Sequence, residues 1–254
     1  MYYLVFLVGA ILSIFNEKRK ISFKKFTIEI DDRKKISFLL FTIILLILAI
    51  FRYGVGADYF SYNHLYNNLN KSVILELTHG SNKQEILFRL IGSALKKIGF
   101  SYQQYLAVIA MINIYFIYKT CKYYSKNPTF SMLIYYSFYY FVWTFSGLRQ
   151  GIALAVGMYY LLECIENNNT KKMILITILL SLIHLSAIIL IPLYFSSKID
   201  INKRKLIFLL CIGISISIIP LGNIIQKLDW LPFRNRVMPY ITTHDFSIRN
   251  VLDF

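Results

Sequence analysis

Residues 146–151 read Ser-Gly-Leu-Arg-Gln-Gly and lie between two apolar runs, 130–145 and 152–165. A short polar interruption between two long apolar runs predicts a hairpin of two membrane helices. Arg149 stands in this interruption, and an arginine near hydrocarbon costs roughly 2.5–3.5 kcal/mol on insertion scales. Such a side chain normally faces protein, water or an anion, and its five-donor fork suits a phosphate group. Arg149 is therefore the first candidate functional residue.

The composition indicates an integral membrane protein. Of the 254 residues, 57% are hydrophobic and only 16% are charged, which differs from the usual balance of a soluble domain. The net charge is +15, and the 28 Lys and Arg residues lie mostly in short segments between apolar runs. This distribution indicates membrane topology and contact with anionic lipids. We expect no nucleic-acid partner, because no basic-aromatic module of a known type is present.

Seven apolar runs are candidates for membrane-spanning helices, since most approach the ~20 residues that a span needs. They lie at about 2–15, 36–51, 102–118, 130–145, 147–165, 173–195 and 206–221. Hydrocarbon leaves only helices or closed barrels, and these runs lack the alternation of barrel strands, so the predicted fold is all-α. The whole chain, 1–254, is predicted to form a single polytopic membrane helix bundle that ends in a loop at 222–254.

Basic residues predict the orientation of the bundle. Segment 16–35 carries eight Lys and Arg residues and is expected in the cytoplasm, which puts segment 52–84 outside as a long loop. Segment 85–100 places its Ile, Leu and Ala side chains on one helical face, with basic residues such as Arg89 towards the other. It is predicted to be an interfacial helix on the outer surface.

The run 173–195 leaves two alternatives open. Lys171 and Lys172 precede it and four basic residues follow it, so a single straight span would put those four outside. A run that is broken near His184, and that dips into the membrane and returns, would keep both basic clusters inside.

The stretch 51–62 begins where the second predicted span ends, and reads Phe-Arg-Tyr-Gly-Val-Gly-Ala-Asp-Tyr-Phe-Ser-Tyr. Its glycines allow a turn and a close approach to a ligand. Arg52 and Asp58 supply opposite charges, and tyrosines such as Tyr59 suit a sugar or the membrane interface. Arg52 could equally anchor the helix end by snorkelling, with Asp58 neutralising it. For Arg149, the alternative role is pairing with backbone carbonyls at a helix break.

The other candidates are less specific. His184 lies far from either end of its apolar run, where a histidine is more often a hydrogen-bonded packing residue than a catalyst. It gains weight beside Arg149, because histidine exchanges protons near neutral pH. Gln150 can both donate to and accept from sugar hydroxyls. The lower-ranked candidates for substrate binding are Arg89, Arg234 and Arg236. The alternative for Arg89 is an ion pair with Glu85 one helical turn away, and the alternative for Arg234 and Arg236 is contact with anionic lipid.

No residue pattern predicts a metal or another cofactor. Cys121, Cys164 and Cys211 are single and widely spaced, and are predicted to be reduced, packed thiols. The sequence holds no nucleotide-binding loop, no GxSxG or HExxH motif and no acidic pair that would hold a nucleotide-sugar metal. Two arginines can neutralise a diphosphate without a metal, which indicates a lipid diphosphate approached from the membrane.

Three segments carry a resemblance to a known family. They are Arg-Tyr-Gly-Val-Gly-Ala-Asp-Tyr at 52–59, Gly-Leu-Arg-Gln-Gly-Ile-Ala-Leu at 147–154 and His-x-Ser-Ala at 184–187. In this order and spacing they resemble the EpsG family of Wzy-like polysaccharide polymerases, over roughly residues 1–200. The resemblance implies a multi-pass enzyme of the bacterial inner membrane, which acts in capsule, exopolysaccharide or O-antigen assembly. Such an enzyme joins repeat units carried on undecaprenyl diphosphate after they have been flipped outward.

The resemblance also implies roles for single residues. Arg149 and Arg52 would contact the diphosphate. Asp58 or His184 would orient or deprotonate the acceptor hydroxyl, and Gln150 would hold sugar. The implied partners are the lipid-linked oligosaccharide, membrane lipids and other assembly proteins, such as a chain-length regulator. Family members usually continue through more spans after the position of residue 221, so a C-terminally truncated chain is expected.

Two other functions stay open beside the polymerase. One is a membrane glycosyltransferase that uses a polyprenyl monophosphate sugar donor, which purified protein would then consume. The other is a transporter or flippase, whose arginines only bind and pass an anionic lipid. Its deletion would trap lipid-linked units on the cytoplasmic side of the membrane.

Overall fold

The computed structural model describes residues 2–15, 32–80 and 84–199, together with Ile207 and Cys211. The described residues form helices and no strand, so the predicted all-α class is confirmed. The helices are α1 (Tyr2–Phe15), α2 (Asp32–Ile50), α3 (Tyr59–Asn67), α4 (Val73–His79), α5 (Ile86–Lys97), α6 (Tyr102–Tyr124), α7 (Pro128–Tyr135), a π-helix (Tyr136–Ser146), α8 (Leu148–Glu166), α9 (Thr170–Ser181), a 3-10 helix (Leu185–Ile189) and α10 (Leu190–Ser196). The chain divides into two compact units, Met1–Lys198 and Ile199–Phe254, and all these helices belong to the first.

Several predicted features lie outside the described residues. They are most of the basic segment 16–35, most of the apolar run 206–221, and the loop 222–254 with Arg234 and Arg236. Of the cysteines, Cys121 and Cys164 are buried free thiols, as predicted. Cys211 is exposed, so the prediction that it is packed was wrong.

The apolar runs do not each form one helix. Run 130–145 is divided between α7 and the π-helix, whereas run 102–118 lies within the longer α6. The predicted outer loop 52–84 contains two short helices, α3 and α4. Within the part of the chain that the structure describes, no helix is long and apolar enough to cross a membrane.

Polar residues at the helix ends explain where several helices begin. Ser101 and Gln104 form a capping box at the start of α6, in which each side chain accepts a hydrogen bond from the other's backbone N–H. Asn127 accepts a hydrogen bond from the Phe130 N–H at the start of α7, whose first residue is Pro128. These side chains satisfy backbone donors that helical hydrogen bonding leaves free.

Helix α6 organises the packing of the described bundle, because α2 and α8 both pack along it. One cluster of buried apolar side chains joins α6 to α3, α5, α8 and α9, and a second joins it to α1, α2, α7 and the π-helix. The first cluster is rich in aromatic rings, and ring contacts link Tyr59, Tyr62, Tyr66, Phe88, Tyr102 and Tyr105. These rings attach the short helix α3 to the bundle.

Helix α5 confirms the helix predicted at 85–100, and the face opposite its Ile, Leu and Ala side chains is the one buried in the protein. Its buried residues are Phe88, Arg89, Gly92 and Ser93, whereas the predicted apolar face, which includes Leu90, is only half-buried. Arg89 lies on the face opposite the apolar one, as predicted, but the burial of that face was not predicted. Helix α4 supplies Glu76, whose carboxylate pairs with Arg89 and allows the charge to be buried.

The run 173–195 is broken near His184. Helix α9 ends at Ser181, His184 is extended with φ −155° and ψ 122°, and a 3-10 helix leads into α10. Helix α10 packs back against α9. Just beyond α10, Lys198 Nζ donates to Thr170 Oγ1 at the start of α9, at 3.2 Å. The run therefore turns back on itself, as in the second of the two alternatives, and the described basic residues on either side of it lie at one end of the bundle.

Candidate functional site

Arg149 lies in the first turn of α8, directly after the π-helix. π-Helical turns are rare and are frequent at functional sites. In a π-helix, hydrogen bonds join residues i and i+5, so two residues nine positions apart are separated by about two full turns and lie on the same face. In an α-helix, nine residues make two and a half turns, so the same two residues would lie on opposite faces. The π-helical geometry brings Thr144 to Tyr135, where their side-chain oxygens lie 2.6 Å apart. The Tyr135 O–H donates to Asn113 Oδ1 in α6 at 2.9 Å, so a buried network fixes the end of the π-helix before Arg149.

Gly151 allows the start of α8 to pack tightly against the π-helix. A Cβ at this position would lie 2.0 Å from the Trp143 carbonyl oxygen and 2.7 Å from Asn113 Nδ2. No side chain fits at such distances, so glycine is required two residues after Arg149. The second glycine of the motif around Arg149 thus has a structural reason.

Gly56 has a similar role in the other arginine-containing segment. Its φ is +110°, a conformation that favours glycine, and a Cβ there would lie 2.5 Å from the Phe145 carbonyl oxygen. The neighbouring Ala57 N–H donates to Ser146 Oγ at 3.1 Å. The segment 51–58 therefore packs on the end of the π-helix, and the first two segments of the family resemblance meet there.

A carboxylate joins Arg149 to His184. Arg149 Nη1 donates to Glu85 Oε2 at 2.5 Å, and its Nε donates to the Tyr62 hydroxyl at 3.4 Å. His184 Nδ1 lies 3.3 Å from Glu85 Oε1, at an ion-pair distance but without the alignment of a hydrogen bond. We call these four residues, Glu85, Arg149, His184 and Tyr62, the Glu85 cluster.

The backbone positions the Glu85 cluster. Glu85 precedes α5 as its N-cap residue, but its side chain does not cap the helix. The Leu87 N–H in the first turn of α5 donates to the Leu182 carbonyl oxygen at 2.9 Å. Since Leu182 lies at the break in the run 173–195, this hydrogen bond ties the start of α5 to the segment that carries His184.

The cluster is charged and partly open. The side chains of Arg149, His184 and Glu85 are 26%, 24% and 15% exposed. Burial raises the pKa of Glu85, but contact with His184, a hydrogen bond to its own backbone N–H and the charge of Arg149 outweigh burial and lower that pKa to about 2. Glu85 is therefore a carboxylate at neutral pH and faces a guanidinium that solvent can reach.

Arg52 lies outside the Glu85 cluster. Its guanidinium carbon is 4.7 Å from the centre of the Phe145 ring, and the residue is buried. Its Nη1 is buried without a hydrogen-bond partner among the described residues. Asp58, which the alternative interpretation paired with Arg52, is exposed and forms no ion pair with the described residues.

The remaining predicted residues are dispersed. Tyr59 is buried, and its hydroxyl donates to Gln103 Oε1 at 3.4 Å. Gln150 is half-buried in the first turn of α8 and makes no side-chain hydrogen bond to the described residues. Arg89 does not pair with Glu85 as predicted; its Nη1 lies 2.7 Å from Glu76 Oε1.

Sequence reasoning missed Glu85 and Tyr62 as members of the site. Glu85 was considered only with Arg89, since an acid and a base four residues apart are neighbours on a helix. The partner that the structure gives it, Arg149, is 64 residues away. One signal did exist, because a costly intramembrane arginine needs a counter-ion and Glu85 is the acid that opens the predicted outer helix.

The Glu85 cluster can bind an anion and move a proton. Arg149 keeps its Nη2 group without a hydrogen bond to the described residues, and a guanidinium binds phosphate through such donors. His184 has one ring nitrogen beside the Glu85 carboxylate, and a histidine can accept a proton at its other ring nitrogen. Within the described residues, no three His, Cys, Asp or Glu side chains converge as metal ligands would.

Comparison with known proteins identifies the family. The EpsG family model matches residues 35–252, which begins later and ends further along the chain than the resemblance in the sequence indicated. No curated protein and no solved structure matches significantly. Because the matched range covers most of the 254 residues, the chain belongs to the EpsG family, whose members are membrane proteins with a role in exopolysaccharide biosynthesis.

Proposed function

We propose that the protein polymerises exopolysaccharide by transferring a growing chain from undecaprenyl diphosphate to a sugar hydroxyl of a new lipid-linked repeat unit. The observation that carries this proposal is the Glu85 carboxylate, which contacts both Arg149 and His184. It unites an anion-binding cation and a proton acceptor in one partly open site. Glycosyl transfer from a diphosphate uses both, one for the leaving group and one for the acceptor.

The proposed reaction has one bond-forming and one bond-breaking step at the same carbon. The acceptor hydroxyl oxygen forms a bond to the anomeric carbon of the donor sugar. The bond from that carbon to the diphosphate oxygen breaks, and undecaprenyl diphosphate leaves with the electron pair. The hydroxyl proton passes to His184 Nε2 and then to water. Arg149 stabilises the charge that grows on the diphosphate, and Glu85 holds His184 and Arg149 in place.

The distribution of charge supports a location at the outer face. The opposite end of the described bundle is basic: it holds Lys122 in the last turn of α6 and Lys172 at the start of α9. Lys198 also reaches this end through Thr170. Because Lys and Arg are concentrated on the cytoplasmic side of membrane proteins, this end is the cytoplasmic one in our proposal. The Glu85 cluster lies at the other end, at the start of α8.

The exposed side chains support a multi-pass location in the bacterial inner membrane. Large apolar residues are exposed on most of the helices, and examples are Leu4 of α1, Ile36 of α2, Phe138 of the π-helix and Leu175 of α9. Apolar side chains exposed in such numbers are unusual for a soluble monomer and suit contact with lipid tails.

The test is replacement of Arg149 by Ala in cells that make the polysaccharide. We expect long polymer to disappear while single repeat units accumulate on undecaprenyl diphosphate, as seen by gel electrophoresis and by mass spectrometry of the lipid fraction. The matched control is Lys172→Ala, which removes the cation of a similarly half-exposed ion pair, that with Glu163, at the opposite end. The control should leave chain length unchanged.

Other outcomes of the same experiment would overturn the proposal. Normal chain lengths in Arg149→Ala would remove Arg149 from the reaction. Repeat units trapped on the cytoplasmic side would indicate a flippase. Consumption of a polyprenyl monophosphate sugar by the purified protein would indicate a glycosyltransferase that adds single sugars.

A further inference from the structure

A cavity of about 490 Å3 opens beside Arg52, between the segment 51–53 and the start of α6. Its volume is within the roughly 300–1,000 Å3 of small-molecule sites. The lining includes Tyr53, Asn63 and Tyr102, but no member of the Glu85 cluster. We call it the Tyr53 cavity.

Aromatic rings with open faces form the mouth of the Tyr53 cavity. Tyr53 and Phe51 are 80% and 77% exposed. The Tyr53 ring nevertheless has a fixed neighbour, since its centre lies 5.8 Å from that of Tyr59 in an edge-to-face contact. Tyr59 in turn packs edge-to-face on Tyr102, 5.3 Å away. Rings that are both exposed and supported can pack on the apolar face of a sugar ring at a low entropic cost.

Hydrogen bonds hold the inner wall of the cavity in one arrangement. The Tyr102 hydroxyl donates to the Tyr59 carbonyl oxygen at 2.7 Å, and the Tyr59 hydroxyl donates to Gln103 Oε1 at 3.4 Å. Gln103 Nε2 donates to the carbonyl oxygens of Ile50 and Arg52, at 2.5 and 2.9 Å. The wall is therefore formed before any ligand binds, which reduces the cost of binding.

Several donors at the cavity keep unused hydrogen-bonding capacity. Arg52 is 5% exposed, and its Nη1 has no partner among the described residues. Asn63 Oδ1 accepts from Asn67, but its Nδ2 donates to none of the described residues. Ser101 Oγ accepts from the Gln104 N–H, and its own O–H likewise has no described acceptor. Sugar hydroxyls and ring oxygens are acceptors that such donors can bind.

We infer that the Tyr53 cavity binds a sugar residue of the polysaccharide repeat unit. The inference rests on the proposed function, since it supplies the sugar-binding part of a site whose Glu85 cluster handles the diphosphate and the proton. A diphosphate fits the cavity less well, because the lining supplies one cation, Arg52, for a group that carries at least two negative charges. Supported aromatic rings with neutral donors are the usual combination for a saccharide.

The test measures binding of free sugar to the full chain in lipid nanodiscs. The probe is a set of oligosaccharides made by partial acid hydrolysis of the exopolysaccharide of the producing strain, which carry neither lipid nor phosphate. Saturation-transfer NMR and titration should show binding to the unaltered protein, and about tenfold weaker binding to Tyr53→Ala. Tyr53 is exposed, so this change should leave folding intact. Tyr123→Ala, which removes a tyrosine exposed on the last turn of α6, should bind like the unaltered protein.

Three results would overturn the inference. The first is equal binding to Tyr53→Ala and Tyr123→Ala, and the second is no binding to the unaltered protein. The third is displacement of the oligosaccharides by sugar-free undecaprenyl diphosphate, which would make the cavity a headgroup site. Arg149→Ala separates the two proposals, because it should abolish polymer but keep oligosaccharide binding. If Arg149→Ala made normal polymer and oligosaccharide binding still depended on Tyr53, the polymerase mechanism would be rejected and the sugar-binding inference would stand.

Discussion

Two arginine–glutamate ion pairs each include one residue of α5 or of its N-cap, and their surroundings differ. In the first, Arg89 pairs with Glu76 at 2.7 Å, and the two side chains are 7% and 2% exposed. The second Glu76 oxygen accepts hydrogen bonds from both the backbone and the side-chain nitrogen of Asn70. In the other pair, Arg149 meets Glu85, and both side chains are partly open and shared with His184 and Tyr62.

The difference separates a structural pair from a functional one. A pair whose two side chains are both buried offers little surface to a ligand, and removing one partner leaves an uncompensated charge. An open pair contributes little to stability, but its cation can bind a substrate anion through the donors that the pair leaves free. The sequence gives both Arg89 and Arg149 as site candidates. Their different exposure indicates that Arg89 stabilises the fold and that Arg149 belongs to the functional site.

The largest expected effect breaks the buried pair. Arg89→Ala leaves the Glu76 carboxylate buried without its cation, and should lower the free energy of unfolding by about 3–5 kcal/mol. Arg149→Ala should lower it by about 1 kcal/mol or less, because the pair is partly solvated. Denaturant unfolding of both variants in detergent micelles measures the contrast. Equal losses of stability would show that the Glu85 cluster is as structural as the Glu76 pair.

A smaller loss of stability is expected from a substitution that displaces the Arg149–Glu85 pair without changing its charges. In Gly151→Ala the new methyl group would overlap the Trp143 carbonyl oxygen, so the first turn of α8 must shift, at about 1–3 kcal/mol. Polymer length should fall with it, because Arg149 moves away from Glu85. Gly147→Ala is the control, since its methyl group would meet its nearest neighbour, the Trp143 ring, at 3.4 Å. Equal polymer length in the two variants would show that polymerisation does not depend on how the first turn of α8 packs against the π-helix.

Much of the fold could be predicted from local patterns. The apolar runs predicted helices, and Ser101 and Pro128 marked where two of them begin. The rule for basic residues raised the broken form of the run 173–195 as an alternative to a straight span, but it did not decide between the two. Arg149 and His184 were also accessible to sequence reasoning, since an ionisable side chain in an apolar run is costly wherever its partner lies.

The rest depends on contacts that one sequence does not encode locally. Glu85 lies in an ordinary helix-start position, and nothing near it in the chain indicates a partner 64 residues away. The π-helix was not predicted, because an aromatic run without clear periodicity fits an α-helix equally well. The burial of Arg89 was not predicted, because the carboxylate of Glu76 that pairs with it comes from a different helix.

The smallest expected effect is the loss of stability in Glu85→Gln, and this loss should depend on pH. The pKa of Glu85 is lowered from an ordinary value of 4.5 to about 2. The carboxylate form of Glu85 is therefore more stable in the folded state than in the unfolded state. The stabilisation is therefore complete above pH 4.5 and is lost as the pH falls towards 2. At neutral pH the difference between the unaltered protein and Glu85→Gln should be about 1 kcal/mol or less, because the pair is partly exposed.

Unfolding midpoints in detergent between pH 7 and pH 2 measure this difference. The gap between the two proteins should stay constant down to about pH 4.5 and close by about pH 2, because the protonated Glu85 resembles glutamine in charge. Glu163→Gln, which breaks a partly exposed ion pair at the opposite end, controls for the loss of a carboxylate outside the Glu85 cluster. A gap that persists unchanged at pH 2 would mean that Glu85 acts through its shape, and the contrast with the Glu76 pair would then rest on burial alone.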